Sequence, residues 1–181
     1  DPLDRRFHSQ TNSCGSCGPR LRLLDSSGGD LPGDPLEGAV AALAGGGVVA
    51  VQGIGGFHLA ADPASRGALE RLRSGKTRRR KPFALMVRSL EEARALCELS
   101  PVEEELLASP ESPIVIAPRR TSAPDVIAQV TDTSTLGVLL PYSPVHVLLF
   151  ELPGTAIPYA HLVMTSGNRA DEPIVTNPSQ A

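Results

Sequence analysis

The stretch Val48-Val-Ala-Val-Gln-Gly-Ile-Gly-Gly-Phe-His-Leu-Ala-Ala61 sets the fold class. Val48–Ile54 carries β-branched and apolar side chains on consecutive positions, the pattern of a strand covered on both faces. Gly55-Gly56 interrupts it, and Phe57–Ala61 resumes extended structure. Asp62-Pro63 then offers an N-cap followed by proline at the first helical position, predicting a helix to about Arg73 that stops at Gly75. Upstream, Leu36–Leu43 reads as a helix closed by Gly45-Gly46-Gly47. Downstream, Pro82 bars a helix and Phe83–Val87 is an apolar strand. Ser89-Leu-Glu-Glu92 and Ser100-Pro-Val-Glu103 both have the capping-box pattern, so two helices follow, with Cys97 on the apolar stripe of the first. Ile114–Ala117 and Leu136–Leu140 read as strands around a loop rich in Thr, Asp and Pro. Ser143-Pro144 opens a short helix ending near Phe150, and His161–Thr165 is the last strand. This alternation predicts an α/β domain with a largely buried, mixed sheet.

A chain of 181 residues, 41% hydrophobic and 20% charged, suits one such domain plus a short appendage. The appendage is residues 1–35, polar and rich in Gly, Pro and Ser, with Asp25–Pro35 reading as a linker. The longest apolar stretch, around Ala39–Val51, is broken by three glycines and too short to span a bilayer. Asp1-Pro-Leu-Asp-Arg-Arg6 precedes no apolar segment, so no signal peptide is expected. Three cysteines, an odd number, argue for a reducing compartment, hence a cytoplasmic protein without membrane partners. The absence of an initiator Met points to a fragment or a processed chain.

Net charge is only −3, but its distribution is uneven. Seven of the 17 basic side chains fall within Arg71–Lys81, a window without an acid, while seven acids lie between Glu91 and Glu111. A local positive field concentrates anions even on an acidic protein. The loop Lys76-Thr-Arg-Arg-Arg-Lys81 follows a helix C-terminus, which repels anions, so any phosphate there must be held by side chains. The other reading of this run is a solvated basic face or a nucleic-acid patch.

Met164-Thr-Ser-Gly-Asn-Arg169 follows an apolar strand directly and offers two hydroxyls, a carboxamide and free backbone N–H groups. Ligands gather at the carboxyl ends of strands in such sheets, although Ser-Gly-Asn is also ordinary turn chemistry. Gln52-Gly-Ile-Gly-Gly-Phe-His58 matches neither the dinucleotide fingerprint nor the P-loop. Within it His58 suits strand packing as well as catalysis, and His146 is expected to face the core. Cys14-Gly-Ser-Cys17 supplies two thiolates, which reads as half of a zinc site or as an exposed or redox-active pair.

In order, these pieces resemble the hydrogenase-maturation carbamoyltransferase (HypF) family. Asp4–Gln10 with Cys14-x-x-Cys-Gly-Pro19 is similar to the end of that family's second zinc module. Gly55-Gly-Phe-His-Leu59, Lys76-x-Arg78, Lys81-Pro-Phe-Ala-Leu-Met-Val87, Leu136–His146, Thr165-Ser-Gly-Asn168 and Asp171–Thr176 resemble its YrdC-like domain. The resemblance implies a zinc-module remnant at 1–24, a linker at 25–35 and a C-terminally incomplete YrdC-like domain at 36–181, a twisted mixed sheet flanked by helices.

It also implies an activity. YrdC-like domains make acyl-adenylates; in this family carbamoyl phosphate is hydrolysed to carbamate, which is joined to ATP as carbamoyl-adenylate. The carbamoyl group then passes to a HypE-like acceptor protein. By the resemblance, Lys76 and Arg78 are the catalytic phosphate-binding cations, with Lys81 an additional contact. Thr165, Ser166 and Asn168 complete the ATP site, Mg²⁺ accompanies the pyrophosphate, and Cys14 and Cys17 hold Zn²⁺. Arg79 and Arg80 are expected to be solvated. Gln52 and Ala61 stand where Lys and Cys are common in relatives. Two competitors remain: a threonylcarbamoyl-adenylate synthase acting for tRNA modification, and a double-stranded RNA-binding module using the basic loop. The latter lacks an aromatic stacking platform.

Overall fold

A computed structural model describes residues 18–76, 81–168 and 172–177. Among the described residues five α-helices and six strands follow one another as α1 (Pro35–Ala44), β1 (Val48–Gly53), β2 (Gly56–Ala61), α2 (Arg66–Gly75), β3 (Ala84–Val87), α3 (Leu90–Leu96), α4 (Pro101–Ala108), β4 (Val115–Pro118), β5 (Thr135–Leu139), α5 (Pro144–Phe150) and β6 (His161–Ser166). The strands form one mixed sheet in the order β1-β2-β6-β3-β5-β4. Only the β3–β5 pair is parallel; the others are antiparallel.

Alternation along the strands sorts the core into two layers. Val51, Ala60, Met86, Leu139, Leu162 and Met164 meet α1 and α5 through Val40, Leu43, Leu149 and Phe150. The opposite face, with Ala61, Leu85, Val87, Val138 and Val163, is covered by Leu69 and Leu72 of α2, Leu96 of α3 and Leu107 of α4. The result is the expected α/β domain, a sheet with helices on both sides.

Several local expectations change. β1 is an edge strand paired with β2 alone, and only its Val51 is buried, so it is not covered on both faces. Helix α2 starts at Arg66 rather than Pro63. The Asp62 carboxylate accepts from the Ala64 amide at 2.8 Å and closes a turn, leaving the Ser65 hydroxyl to cap the helix by accepting from Ala68. Of the two capping boxes, Ser100 with Glu103 is complete. Ser89 caps the Glu92 amide, but the Glu92 carboxylate turns to His161 Nε2 at 3.1 Å instead of reaching back. Cys97 is the C-cap of α3, fully buried, and burial pushes its thiol up to about 11. The loop before β5 contains a 3-10 helix, Asp125–Gln129, which no periodicity announced.

The 25–35 segment is not uniformly linker-like. Asp25 accepts from the amides of Ser27 and Gly29, Arg22 pairs with Asp30 at 2.7 Å, and Leu24 bridges Asp30, so the segment opens as a small hairpin. Its end already belongs to α1: Asp34 caps the Leu36 and Glu37 amides at 2.8 and 3.0 Å, with Pro35 in the first turn.

Candidate functional site

The carboxyl end of β6 is where the chemistry-bearing groups converge. Lys76, the C-cap residue of α2, is 3% exposed, and its ammonium donates to the Ser166 carbonyl, to Ser166 Oγ at 3.2 Å and to Asn168 Oδ1 at 3.1 Å. Ser166 Oγ donates to the same Asn168 oxygen at 2.6 Å. Asn168 Nδ2 donates to the Glu172 carbonyl at 2.6 Å, which fixes the direction of its amide. A cation therefore joins a hydroxyl and a carboxamide 90 and 92 residues further along the chain in one hydrogen-bonded group.

A backbone clamp holds this group in place. Gly167 N–H donates to the Phe57 carbonyl at 2.6 Å, Phe57 N–H to Val175 at 2.7 Å, and Val175 N–H to Gly167 at 2.9 Å. A Cβ at Gly167 would lie 2.8 Å from the Phe57 oxygen, so glycine is what permits this close approach. Sequence reasoning singled out both the Ser-Gly-Asn loop and Asp171–Thr176, but not that the second segment returns to clamp the first.

The structure sorts the candidate residues. Lys76, Ser166 and Asn168 come together. Thr165 does not: it pairs with Leu59 in the adjacent strand, one residue out of step with Ser166, and so belongs to the opposite face of the sheet. Lys81 is exposed, and among the described residues its side chain joins no hydrogen bond. Arg78, Arg79, Arg80, Cys14 and Cys17 lie outside the described residues. In the described part of the basic window Arg73 and Lys76 are drawn into the fold, while Arg71 and Lys81 remain exposed. Arg71 donates to the Gly46 carbonyl, Arg73 to the carbonyls of Lys81, Gln129 and Val130 while stacking over Phe83, and Lys76 is buried.

Beside this group lie three rings that sequence reasoning left unassigned. His58 pairs with Ser166 across β2 and β6, so the two side chains share a face, the one covered by α1 and α5. The chain after β5 returns under that face and brings Tyr142 and His146 to it. The Tyr142 and His146 centroids are 4.4 Å apart, and His58 lies 6.3 and 6.2 Å from them. His146 is fully buried, as expected, yet neither ring nitrogen has a hydrogen-bond partner, nor has His58 Nδ1. Burial, helped by His58, pushes the His146 imidazole down to about 4. Burial and then the Lys76 charge lower His58, and burial raises the Tyr142 phenol. All three are neutral at pH 7.

The fold is that of the Sua5/YciO/YrdC family, whose model, described as "Telomere recombination", matches residues 41–181; the chain belongs to that family. The HypF finger model matches residues 1–24. More particularly, the whole chain is similar to the carbamoyltransferase HypF of Rhodobacter capsulatus, 45% identical over 181 residues, which is 100% of this chain and 23% of that protein. A crystal structure of full-length HypF in a phosphate- and nucleotide-bound form matches with a TM-score of 0.85 and 40% identity, covering 99% of this chain and 23% of that one. P. abyssi Sua5 complexed with L-threonine shares the fold, with a TM-score of 0.63 and 22% identity over 80% of this chain and 42% of Sua5. The chain thus spans about a quarter of the length of its HypF relatives. No helix among the described residues is long and apolar enough to cross a membrane.

Proposed function

We propose that this chain is the adenylate-forming segment of a carbamoyltransferase, using ATP to convert carbamate, derived from carbamoyl phosphate, to carbamoyl-adenylate for delivery to a HypE-like acceptor protein. In this reading residues 1–24 end a zinc module, 25–35 connect it, and 36–181 form the nucleotide-binding domain. The observation that carries the reading is the convergence of Lys76, Ser166 and Asn168 at the end of β6. The nucleotide-bound HypF relative lends it support.

The chemistry asks for such a group. A carbamate oxygen forms a bond to the α-phosphorus of ATP, the bond from that phosphorus to the bridging oxygen breaks, and pyrophosphate leaves with the electron pair. Charge balances without a net proton transfer. Two anions must be brought together, so catalysis consists of positioning and charge neutralisation. Lys76, joined by Arg78, screens the phosphates, while the Ser166 hydroxyl and the Asn168 amide orient their oxygens. Among the described residues no group of three or more His, Cys, Asp or Glu side chains is placed to hold a metal ion. Mg²⁺ would be held by the nucleotide phosphates and would supply charge neutralisation to the departing pyrophosphate. Cys14 and Cys17 supply two soft thiolates, the donor type zinc prefers and half of a tetrahedral set.

The test is carbamate-dependent exchange of labelled pyrophosphate into ATP, measured on the product of the complete reading frame. Lys76→Ala is expected to lower exchange by a factor on the order of 100, equivalent to about 3 kcal/mol of the barrier. Exchange that needs threonine would transfer the chain to the threonylcarbamoyl-adenylate class. Steeply salt-dependent RNA binding that ATP does not displace would favour the nucleic-acid module instead.

A further inference from the structure

An ionised phosphate oxygen accepts hydrogen bonds and donates none, so a phosphate site needs N–H and O–H groups aimed outward. At the end of β6 they are aimed inward. The ammonium of Lys76 has three N–H bonds and meets three protein acceptors, the Ser166 carbonyl, Ser166 Oγ and Asn168 Oδ1, and the residue is 3% exposed. The Ser166 hydroxyl donates to the same Asn168 oxygen. Asn168 thus turns its carbonyl oxygen to the centre of the group, where a phosphate requires a donor. Its amide nitrogen is held away by the Glu172 carbonyl at 2.6 Å. Turning the carboxamide over would set Asn168 Oδ1 against that carbonyl, two acceptors face to face, so the amide can turn only when Glu172 withdraws.

We propose that residues 172–177 are a latch that keeps the phosphate-binding donors closed on one another, and that nucleotide phosphates displace it. This rests on the adenylation reading above and adds the conformational step that admits the nucleotide. The other elements of the site are fixed. Helix α2 is anchored by the buried Leu69 and Leu72, and β6 is paired on both sides, with β2 and with β3. Residues 172–177 are held less firmly. They form neither helix nor strand, and Glu172, Pro173, Thr176 and Asn177 are exposed. Their ties to the site are the Asn168–Glu172 bond and the Val175 bonds to Gly167 and Phe57. Ile174 anchors the segment on Gly56: a Cβ there would lie 2.9 Å from Ile174 Cγ1 and 2.8 Å from the Val175 carbonyl. Release of the latch lets Asn168 present its nitrogen and frees the Lys76 and Ser166 donors from Asn168 Oδ1. A closed majority state lowers the apparent nucleotide affinity in proportion to the open fraction, so loosening the latch tightens binding.

The test is amide hydrogen exchange, read by peptide mass spectrometry on the product of the complete reading frame, with and without α,β-methylene-ATP, whose α–β bridge does not break. Ligands ordinarily slow exchange where they bind. Here saturating nucleotide is expected to speed exchange in the peptide covering 172–177, by a factor on the order of three, while the amides of β6 stay protected. Ile174→Ala removes the anchor on Gly56. It should speed exchange of the same peptide without nucleotide and lower the half-saturating nucleotide concentration by a factor on the order of three. A segment that merely props up the site predicts the opposite sign, weaker binding in the variant. Slowed or unchanged exchange of 172–177 in the nucleotide complex of the unmutated protein, or weaker binding by Ile174→Ala, overturns the latch alone. The adenylation reading fails separately, and the latch with it, if the unmutated protein binds no nucleotide.

Discussion

Acid should destabilise this protein through its buried imidazoles before its carboxylates titrate, and His146→Phe isolates the contribution of one of them. His146 is fully buried and neutral when folded, with its proton affinity pushed down to about 4 by burial and by His58. In the unfolded chain it titrates at the ordinary value of 6.5. Between those two values the unfolded state binds more protons, so stability falls as pH falls from 6.5 toward 4 and changes no further below that through this group. Integrated from pH 7 to pH 4.5, one proton displaced over that gap amounts to roughly 2 kcal/mol. Asp25, Asp30, Glu103 and Glu104 are all held below their usual range by hydrogen bonds, and they pull the same way at lower pH. His58, also lowered, adds to the slope within the histidine window. All five remain in the variant, so the difference between the two proteins reports His146. Phenylalanine preserves the ring contact with Tyr142 and removes two unpartnered nitrogens, which should leave stability at pH 7 unchanged or improved. Urea denaturation at half-unit pH intervals is the assay. Parallel pH profiles for the two proteins would refute the argument, since they would require His146 to be protonated or solvated in the folded state.

Gly167→Ala forces a methyl group to 2.8 Å from the Phe57 carbonyl and 3.0 Å from its Cβ; urea denaturation should show a loss of roughly 2 kcal/mol, together with loss of pyrophosphate exchange as Ser166 and Asn168 shift. Cys97, buried and with its thiol at about 11, should resist iodoacetamide at pH 8, where only about 0.1% is thiolate. Peptide mass spectrometry should find it labelled only after denaturant is added, and labelling of the native protein would contradict its burial. Ser100→Ala removes a complete capping box on the exposed start of α4 and should cost about 1 kcal/mol in urea denaturation with exchange activity unaltered.

Strand and helix existence was legible because local chemistry and tertiary packing agree over most of the chain. Pro35, Pro101 and Pro144 each sit in the first turn of a helix behind an Asp or Ser cap. Where two signals compete, local reading fails. Asp62-Pro63 reads as a helix start, yet the cap falls to Ser65 while the Asp62 side chain accepts from the Ala64 amide in the preceding turn. Glu92 had two destinations, the cap three residues back or His161 on β6, and only the fold brings the second within reach. Likewise nothing local tells that β1 ends up at the sheet edge; consecutive valines look the same on an edge as in the middle.

The site follows the same division. Period-two alternation already separates Thr165 from Ser166, since Met164 shares a face with one and Val163 with the other. Treating the loop as one motif obscured a distinction that the strand imposes up to its last residue. The basic run has the opposite lesson. Its residues look equivalent in sequence, yet Lys76 is buried against β6 while Lys81 is exposed. Charge density alone would assign both to one patch. What separates them is position: Lys76 caps α2 on one side of the sheet and reaches the end of β6, where His58 on the other side also arrives. A strand terminus is the one place in a layered fold where side chains from both layers meet without crossing the sheet. At this strand end Lys76 from one layer and His58 from the other both come up against Ser166, the first by hydrogen bond and the second by its place opposite Ser166 in the β2–β6 ladder.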